Sequence, residues 1–186
     1  IIIRTKKFES SIDFEYLQFP DNEVFQLYEN ECKSTLTQRT QNELQWIFSY
    51  PWLVSSPMGD SIGERYFFSS NPKRFSQTII KVFKNKVLLG FLMLNINDDK
   101  LSIPYCSNFL NFELITKLLL THAVKLKVSM ITLYEPNIVA FMNRQPLNWL
   151  LSKSRNQNYF ATKELINQFD GKQVFFKDGD GDCAFI

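Results

Sequence analysis

Few side chains in this chain are placed for chemistry, and their spacing narrows the options quickly. The three cysteines, Cys32, Cys106 and Cys183, are sparse and far apart. That pattern makes neither a disulfide framework nor a zinc site, and it fits a reducing compartment, so a cytoplasmic location is expected. A cysteine nucleophile would want an imidazole base. The sole histidine is His122, which falls inside a predicted long helix, where a partly buried or surface position is the plain reading. The run Asp178-Gly179-Asp180-Gly181-Asp182 has the start of a calcium loop. The chain ends four residues later, without the distal Glu such a loop requires. A tight glycine-rich turn is the simpler account, and no metal site is expected. Four carboxylates could take a proton: Asp98 and Asp99 in a turn, Glu64 before a strand and Glu135 after one. Glu135 is best placed, at the end of a central strand where α/β sheets bind ligands. A solvated strand-end carboxylate is the alternative.

Bulk properties exclude some partners. The net charge of +2 comes from 21 Lys+Arg against 19 Asp+Glu, which gives no global field for nucleic acid or a membrane surface. The densest basic stretch, with Lys73, Arg74, Lys81, Lys84 and Lys86, is expected at strand ends and turns as solvated charge. Hydrophobic residues make up 45%, so the chain is globular, and its 186 residues suit one domain plus an extension. Most of the 18 Phe should be core filling. No apolar run is long enough for a transmembrane helix. The chain opens on Ile1 without a Met, so it is expected to be a fragment or a processed form.

The elements that must position any site are clearest from Phe75 to Phe141. Phe75–Phe83, Val87–Ile96 and Leu101–Ser107 read as strands separated by short polar breaks, so they should form an antiparallel meander. Phe112–Lys127 repeats Ile115, Leu118, Leu119, Val124 and Leu126 at helical spacing. Ser129–Tyr134 is another strand and Pro136–Asn143 a short helix. A strand, a long helix and a strand require a crossover, so Leu101–Ser107 and Ser129–Tyr134 should be parallel. Leu118, Val124, Ile131, Leu89, Phe91 and Ile79 are the expected core.

Upstream, Ile1–Thr5 and Phe14–Phe19 are candidate strands. Asp21 caps a helix over Asp21–Lys33, and Thr40-Gln41-Asn42-Glu43 has capping-box form for a helix ending at Pro51. Ser55–Gly63 reads as loop and Arg65–Ser70 as extended. Asn158–Leu165 and Lys172–Lys177 read as strands, and Asn148–Ser154 is ambiguous.

This order, a meander followed by a crossover helix, a strand and a short helix, resembles the GNAT superfamily of N-acetyltransferases. The resemblance runs from about Asp21 to the C-terminus. It implies an α+β fold: a mixed sheet with an antiparallel meander, one crossover helix and a splayed central strand pair. Residues 1–20 would be an N-terminal extension holding the first strand, and 21–186 a single domain. It implies acyl transfer from acetyl-coenzyme A, or a related acyl-coenzyme A, to a primary amine on a small molecule or peptide. The split would lie between Leu101–Ser107 and Ser129–Tyr134. In such enzymes the strand before the long helix bonds the pantetheine arm, which maps to Ile103, Pro104 and Tyr105. Pro104 removes one amide and fits the bulge common at that place. The pyrophosphate loop maps to Ser107–Glu113, so Asn108, Phe109, Asn111 and Phe112 are the implied cofactor contacts. That loop holds no glycine, and Phe109, Leu110 and Phe112 stand where small residues are usual. Asn108 or Asn111 can cap the helix. Asn137-Ile138-Val139-Ala140 matches the family's N-x-x-A, with a helix cap as the plain role of Asn137. The usual tyrosine acid four residues on is Arg144, whose pKa is too high for the task. Tyr134 or Tyr159 could replace that hydroxyl, and Glu135 would take the amine's proton. The rival reading is a GNAT-like domain without catalysis, serving as a binding or scaffolding module, alone or as part of a larger transferase.

Overall fold

The computed structural model describes residues 11–32, 39–51, 55, 72–107, 110–144, 151–154 and 162–168. The expectations for Ile1–Thr5, Arg65–Ser70, Lys172–Lys177 and Asp178–Asp182 lie outside them, as does Tyr159. The chain is α+β, and the described residues form one five-stranded mixed sheet in the order β1-β2-β3-β4-β5. The strands are β1 (Ile12–Leu17), β2 (Phe75–Lys84), β3 (Val87–Asn97), β4 (Lys100–Ser102) and β5 (Met130–Thr132). The helices are α1 (Asn22–Cys32), α2 (Gln41–Ser49), α3 (Phe112–Lys125), α4 (Pro136–Asn143) and α5 (Lys163–Gln168).

The meander forms where the polar breaks lie. Asn85 and Lys86, both with positive φ, turn β2 into β3 with Lys84 opposite Val87. Positive φ at both central residues matches the twist of the flanking strands. Asp98, also at positive φ, turns β3 into β4. β4 and β5 are parallel, with Leu101 opposite Ile131, and α3 connects them as the crossover requires. β1 pairs antiparallel with β2. It begins two residues earlier than the pattern suggested, and Phe19 is exposed beyond its end. Residues 12–17 of the expected extension therefore belong to the sheet itself.

Helices cover both faces, because the strands alternate. Ile80 and Val82, with Leu92, Leu94 and Ile96, pack against Leu114, Ile115, Leu118 and Leu119 of α3 and Ile138 of α4. Ile79, Phe91 and Met93 pack against Val24 and Tyr28 of α1 and Leu44, Ile47 and Phe48 of α2. Asp21 accepts from the Val24 amide at 2.9 Å. Thr40 and Glu43 close the capping box.

Expectations for one core residue and one strand need correction. Val124 is 41% exposed, because the buried stripe of α3 runs through Leu118, Leu119, His122 and Ala123, and Val124 lies past its edge. Residues 163–165, read as the end of a strand, begin α5; Lys163 and Glu164 favour helix. Of the other expected core residues, Leu118, Phe91 and Ile79 are buried, while Leu89 and Ile131 are half-buried against the α3-side cluster.

Candidate active site

The sheet changes character just past Ser102. The β4–β5 ladder holds three pairs, the last being Ser102 with Thr132. Beyond it the first strand's continuation stays with β3: the Met93 amide donates to the Tyr105 carbonyl at 2.8 Å, and the Ser107 amide to the Phe91 carbonyl at 2.9 Å. The register slips in between. Ser102 faces Asn95, but Cys106 faces Leu92, so one strand spends an extra residue. That bulge contains Pro104, which has no amide to lose.

A one-residue slip reverses the side on which side chains stand. Leu101 and Ile103 lie in the α3-side cluster, whereas Tyr105 lies in the α1–α2 cluster. Two residues expected to share one contact with a cofactor, Ile103 and Tyr105, thus point to opposite faces. Cys106 packs toward α3 and sits between the two bonds to β3. Its own amide and carbonyl therefore point away from β3, toward the side where β5 has left the ladder.

Immediately beyond, α3 begins. Asn111 is its N-cap, and its side chain accepts from the Leu114 amide at 2.7 Å. Phe112 and Glu113 are exposed in the first turn. Asn108 and Phe109 lie outside the described residues. The loop reaches the sheet closely because β3 offers a glycine there. A Cβ at Gly90 would sit 2.8 Å from both Cβ and Oγ of Ser107 and 3.0 Å from Cγ of Leu110.

On the β5 side, Glu135 is the N-cap of α4. Its carboxylate accepts from the Asn137 side-chain amide at 2.9 Å and faces the Asn137 backbone amide at 3.5 Å. The capping role expected of Asn137 belongs to Glu135, and Asn137 braces it. Tyr134 is 40% exposed. Arg144 is exposed at the C-terminal end of α4. The structure thus joins Glu135 to Asn137, and places Asn111 and Phe112 together at the start of α3.

The sequence reading missed a set of buried polar groups on the α1–α2 face. Lys81, expected among solvated turn charges, is buried in mid-strand. Its ammonium pairs with Asp21 at 2.7 Å, with Glu15 at 3.6 Å and with Glu23. Burial pushes its pKa down, but bonds to Asp21 and Glu23 outweigh that and leave it raised. Burial likewise pushes Asp21 up, and Lys81 with the Val24 amide holds it below the ordinary value. Nearby, Tyr105 meets Tyr28 edge-on at 5.0 Å between ring centroids. The Arg39 Nε donates to the Tyr105 hydroxyl, and the Arg39 amide to the Tyr28 hydroxyl, each at 3.3 Å. Ser107 donates to the buried carboxylate of Glu31. The available signal was period-two placement: Lys81 shares the face of Ile79, next to acids on the preceding strand and helix.

His122 is buried too. Its Nδ1 donates to the Leu118 carbonyl at 2.7 Å, so Nε2 accepts from the Tyr16 hydroxyl at 3.0 Å. Burial, with Lys125 adding to it, lowers the imidazole pKa despite the Leu118 bond. Tyr16 is on β1, three strands from the β4–β5 gap.

No protein-family model, curated protein or solved structure matches this chain. Among the described residues no three His, Cys, Asp or Glu side chains group to hold a metal ion. No helix among them is long and apolar enough to cross a membrane.

Proposed function

We propose that the chain is an N-acyltransferase of GNAT type, moving an acetyl or related acyl group from coenzyme A to a primary amine. One observation carries the reading. A strand parallel to its crossover partner for three pairs bulges at Pro104 and leaves it, and the crossover helix starts just beyond. A sheet opened in that way offers a backbone edge to an extended ligand. The helix start offers amides to its anionic end. The residues that would hold the donor are the 103–106 edge and the first-turn amides of Phe112 and Glu113. The Glu113 carboxylate and the Asn111 cap temper the phosphate end, which favours a donor held chiefly along its pantetheine arm.

The donor supplies the activated thioester when bound. The protein's part is to align it and exclude water while the amine attacks, which is positioning more than proton chemistry. Glu135 is engaged as a cap, so it serves best as a fixed carboxylate that orients the acceptor. The amine attacks in its neutral form, the C–S bond breaks as the C–N bond forms, and the proton the nitrogen gives up leaves with the coenzyme A thiolate as the free thiol. Its bond to Asn137 limits its freedom to collect a proton.

The second reading, a coenzyme-binding or scaffolding module without turnover, is favoured by one observation: an exposed Arg144 stands at the position expected of the acid.

The experiment is thermal shift with coenzyme A and acetyl-coenzyme A, followed by thiol release with amine acceptors. A ligand at 100 times its dissociation constant stabilises by about 2.7 kcal/mol. Stabilisation with amine-dependent thiol release supports the transferase. Stabilisation without release leaves the binding module. No shift with either ligand ends the transferase and the coenzyme-binding module and leaves the scaffolding reading.

A further inference from the structure

We infer that Glu31 is a positioning residue for the loop that leads from β4 into α3. It acts through Ser107. The inference takes the purpose of that loop from the acyltransferase reading, and the clamp itself from geometry.

Glu31 stands in the last turn of α1 and is 9% exposed. A carboxylate there is opposed twice. Burial strips its hydration, and the negative end of the helix dipole repels it. The Glu31 carboxylate accepts the hydroxyl of Ser107.

Ser107 is fully buried and ties three elements together. Its amide bonds β3 through Phe91, its carbonyl accepts from the Leu110 amide at 3.2 Å, and its hydroxyl reaches α1. One residue past Leu110, Asn111 caps α3. The seat against Gly90 leaves no slack on the sheet side. Glu31 is therefore the bolt that sets the height of the loop, and with it the first-turn amides of α3. A bond from the α1–α2 face thus fixes the donor end of the proposed cleft.

The test uses Glu31→Ala, Glu31→Gln and Ser107→Ala in the full chain, read by amide hydrogen exchange. Glu31→Ala and Ser107→Ala should speed exchange at Leu110–Leu114 about tenfold or more, with Leu92–Leu94 unchanged, as expected of a local opening. Glu31→Gln, whose amide oxygen still accepts the hydroxyl, should restore the loop. The double Ala variant should add nothing to Ser107→Ala. Uniform acceleration, none at all, or additive effects would overturn the clamp. A second arm measures coenzyme A affinity by calorimetry. Glu31→Ala should weaken it by about tenfold, with Glu31→Gln near wild type and the KM for amine unchanged. Should wild type not bind coenzyme A, the acyltransferase reading fails and exchange alone judges the clamp. If wild type and Glu31→Ala bind equally while the loop loosens, the residue positions nothing and the inference is overturned.

Discussion

The two faces of the sheet bury their side chains on different terms. Toward α3 and α4, the strands present Ile80, Val82, Leu92, Leu94, Ile96, Leu101 and Ile103, all aliphatic. Toward α1 and α2, the same strands interleave Ile79, Phe91 and Met93 with Lys81, Asn95, Tyr105 and Ser107, all buried. An aliphatic face gains from every area it removes from water. A face with buried polar groups recovers much less, because each group must first replace its lost hydration. The first face is therefore the source of stability. The second gives up part of that gain, and it is the face toward which the Pro104 bulge turns Tyr105 and Ser107.

The sharpest break of this comparison is Leu118→Ala. Leu118 is fully buried in the aliphatic cluster. Its truncation should cost about 2–5 kcal/mol, read as a fall in the urea midpoint at unchanged slope. A loss under about half a kcal/mol would mean the α3 face does not carry the stability assigned to it.

Gly90→Ala should come next. The added methyl meets Ser107 and Leu110 within 3.0 Å, and Ser107 is held by its backbone and by Glu31. Overpacking a constrained contact costs about 1–3 kcal/mol. The loop should also shift, so exchange at Leu110–Leu114 should rise. A neutral substitution would show that the loop yields freely.

Lys81→Met sharpens the comparison from the polar side. Asp21, Glu15 and Glu23 keep side-chain exposures of 38%, 52% and 61%, so they can rehydrate once the ammonium is gone. Replacing a buried charge with an apolar chain of similar length is often neutral or better. Stability at neutral pH should move by no more than about 1 kcal/mol, since no charge is left buried and the half-exposed acids return to water. Asp21 provides a second readout. Its folded pKa is depressed, so its contribution is present above an unfolded value of about 3.9 and is lost as pH falls through the folded one. That acid limb should shrink in Lys81→Met. A loss as large as that of Leu118→Ala would put the two faces on equal terms.

How far the sequence discloses this depends on the range of the interactions. The hairpins were legible because a turn is local: Asn85, Lys86 and Asp98 are adjacent to what they turn. The crossover was legible because helix length forbids an antiparallel return. The caps at Asp21 and Thr40 were legible because a cap is local too, and Asn111 was one of two candidates. The polar face was not. Lys81 finds its acids across 58 to 66 positions, and Ser107 finds Glu31 across 76. No local pattern encodes such pairs. Pro104 announced a bulge, but the face on which Tyr105 emerges follows from the register on the partner strand. Glu135 was expected at a strand end, but β5 stops at Thr132 and Glu135 caps the helix that follows.

The smallest expected effect concerns the one titrating group under the aliphatic face. His122 is the chain's only imidazole, so no other side chain of ordinary pKa titrates between about pH 5 and 8. From α3, Lys125 adds positive charge, and the Arg74 guanidinium bonds the Leu126 carbonyl at the helix end. From β1, Tyr16 contributes a hydroxyl whose own pKa burial raises, so it stays neutral. These surroundings favour neutral imidazole. The folded pKa lies below the unfolded value of about 6.5, so the unfolded chain takes up the proton first. Stability should be full above about pH 6.5 and should decline as pH falls below it toward the folded pKa. Protonation does not remove the link to Tyr16, because the phenol oxygen can accept from imidazolium. What it adds is a charge among Leu118, Leu119 and Ala123. The loss should therefore be smaller than that of any core truncation and centred on the β1–α3 contact. Urea midpoints at pH 7 and 5.5 should differ for wild type and coincide for His122→Gln. An equal drop in both would assign the acid limb to carboxylates. A flat wild-type profile would mean the imidazole is better hydrated than its burial implies.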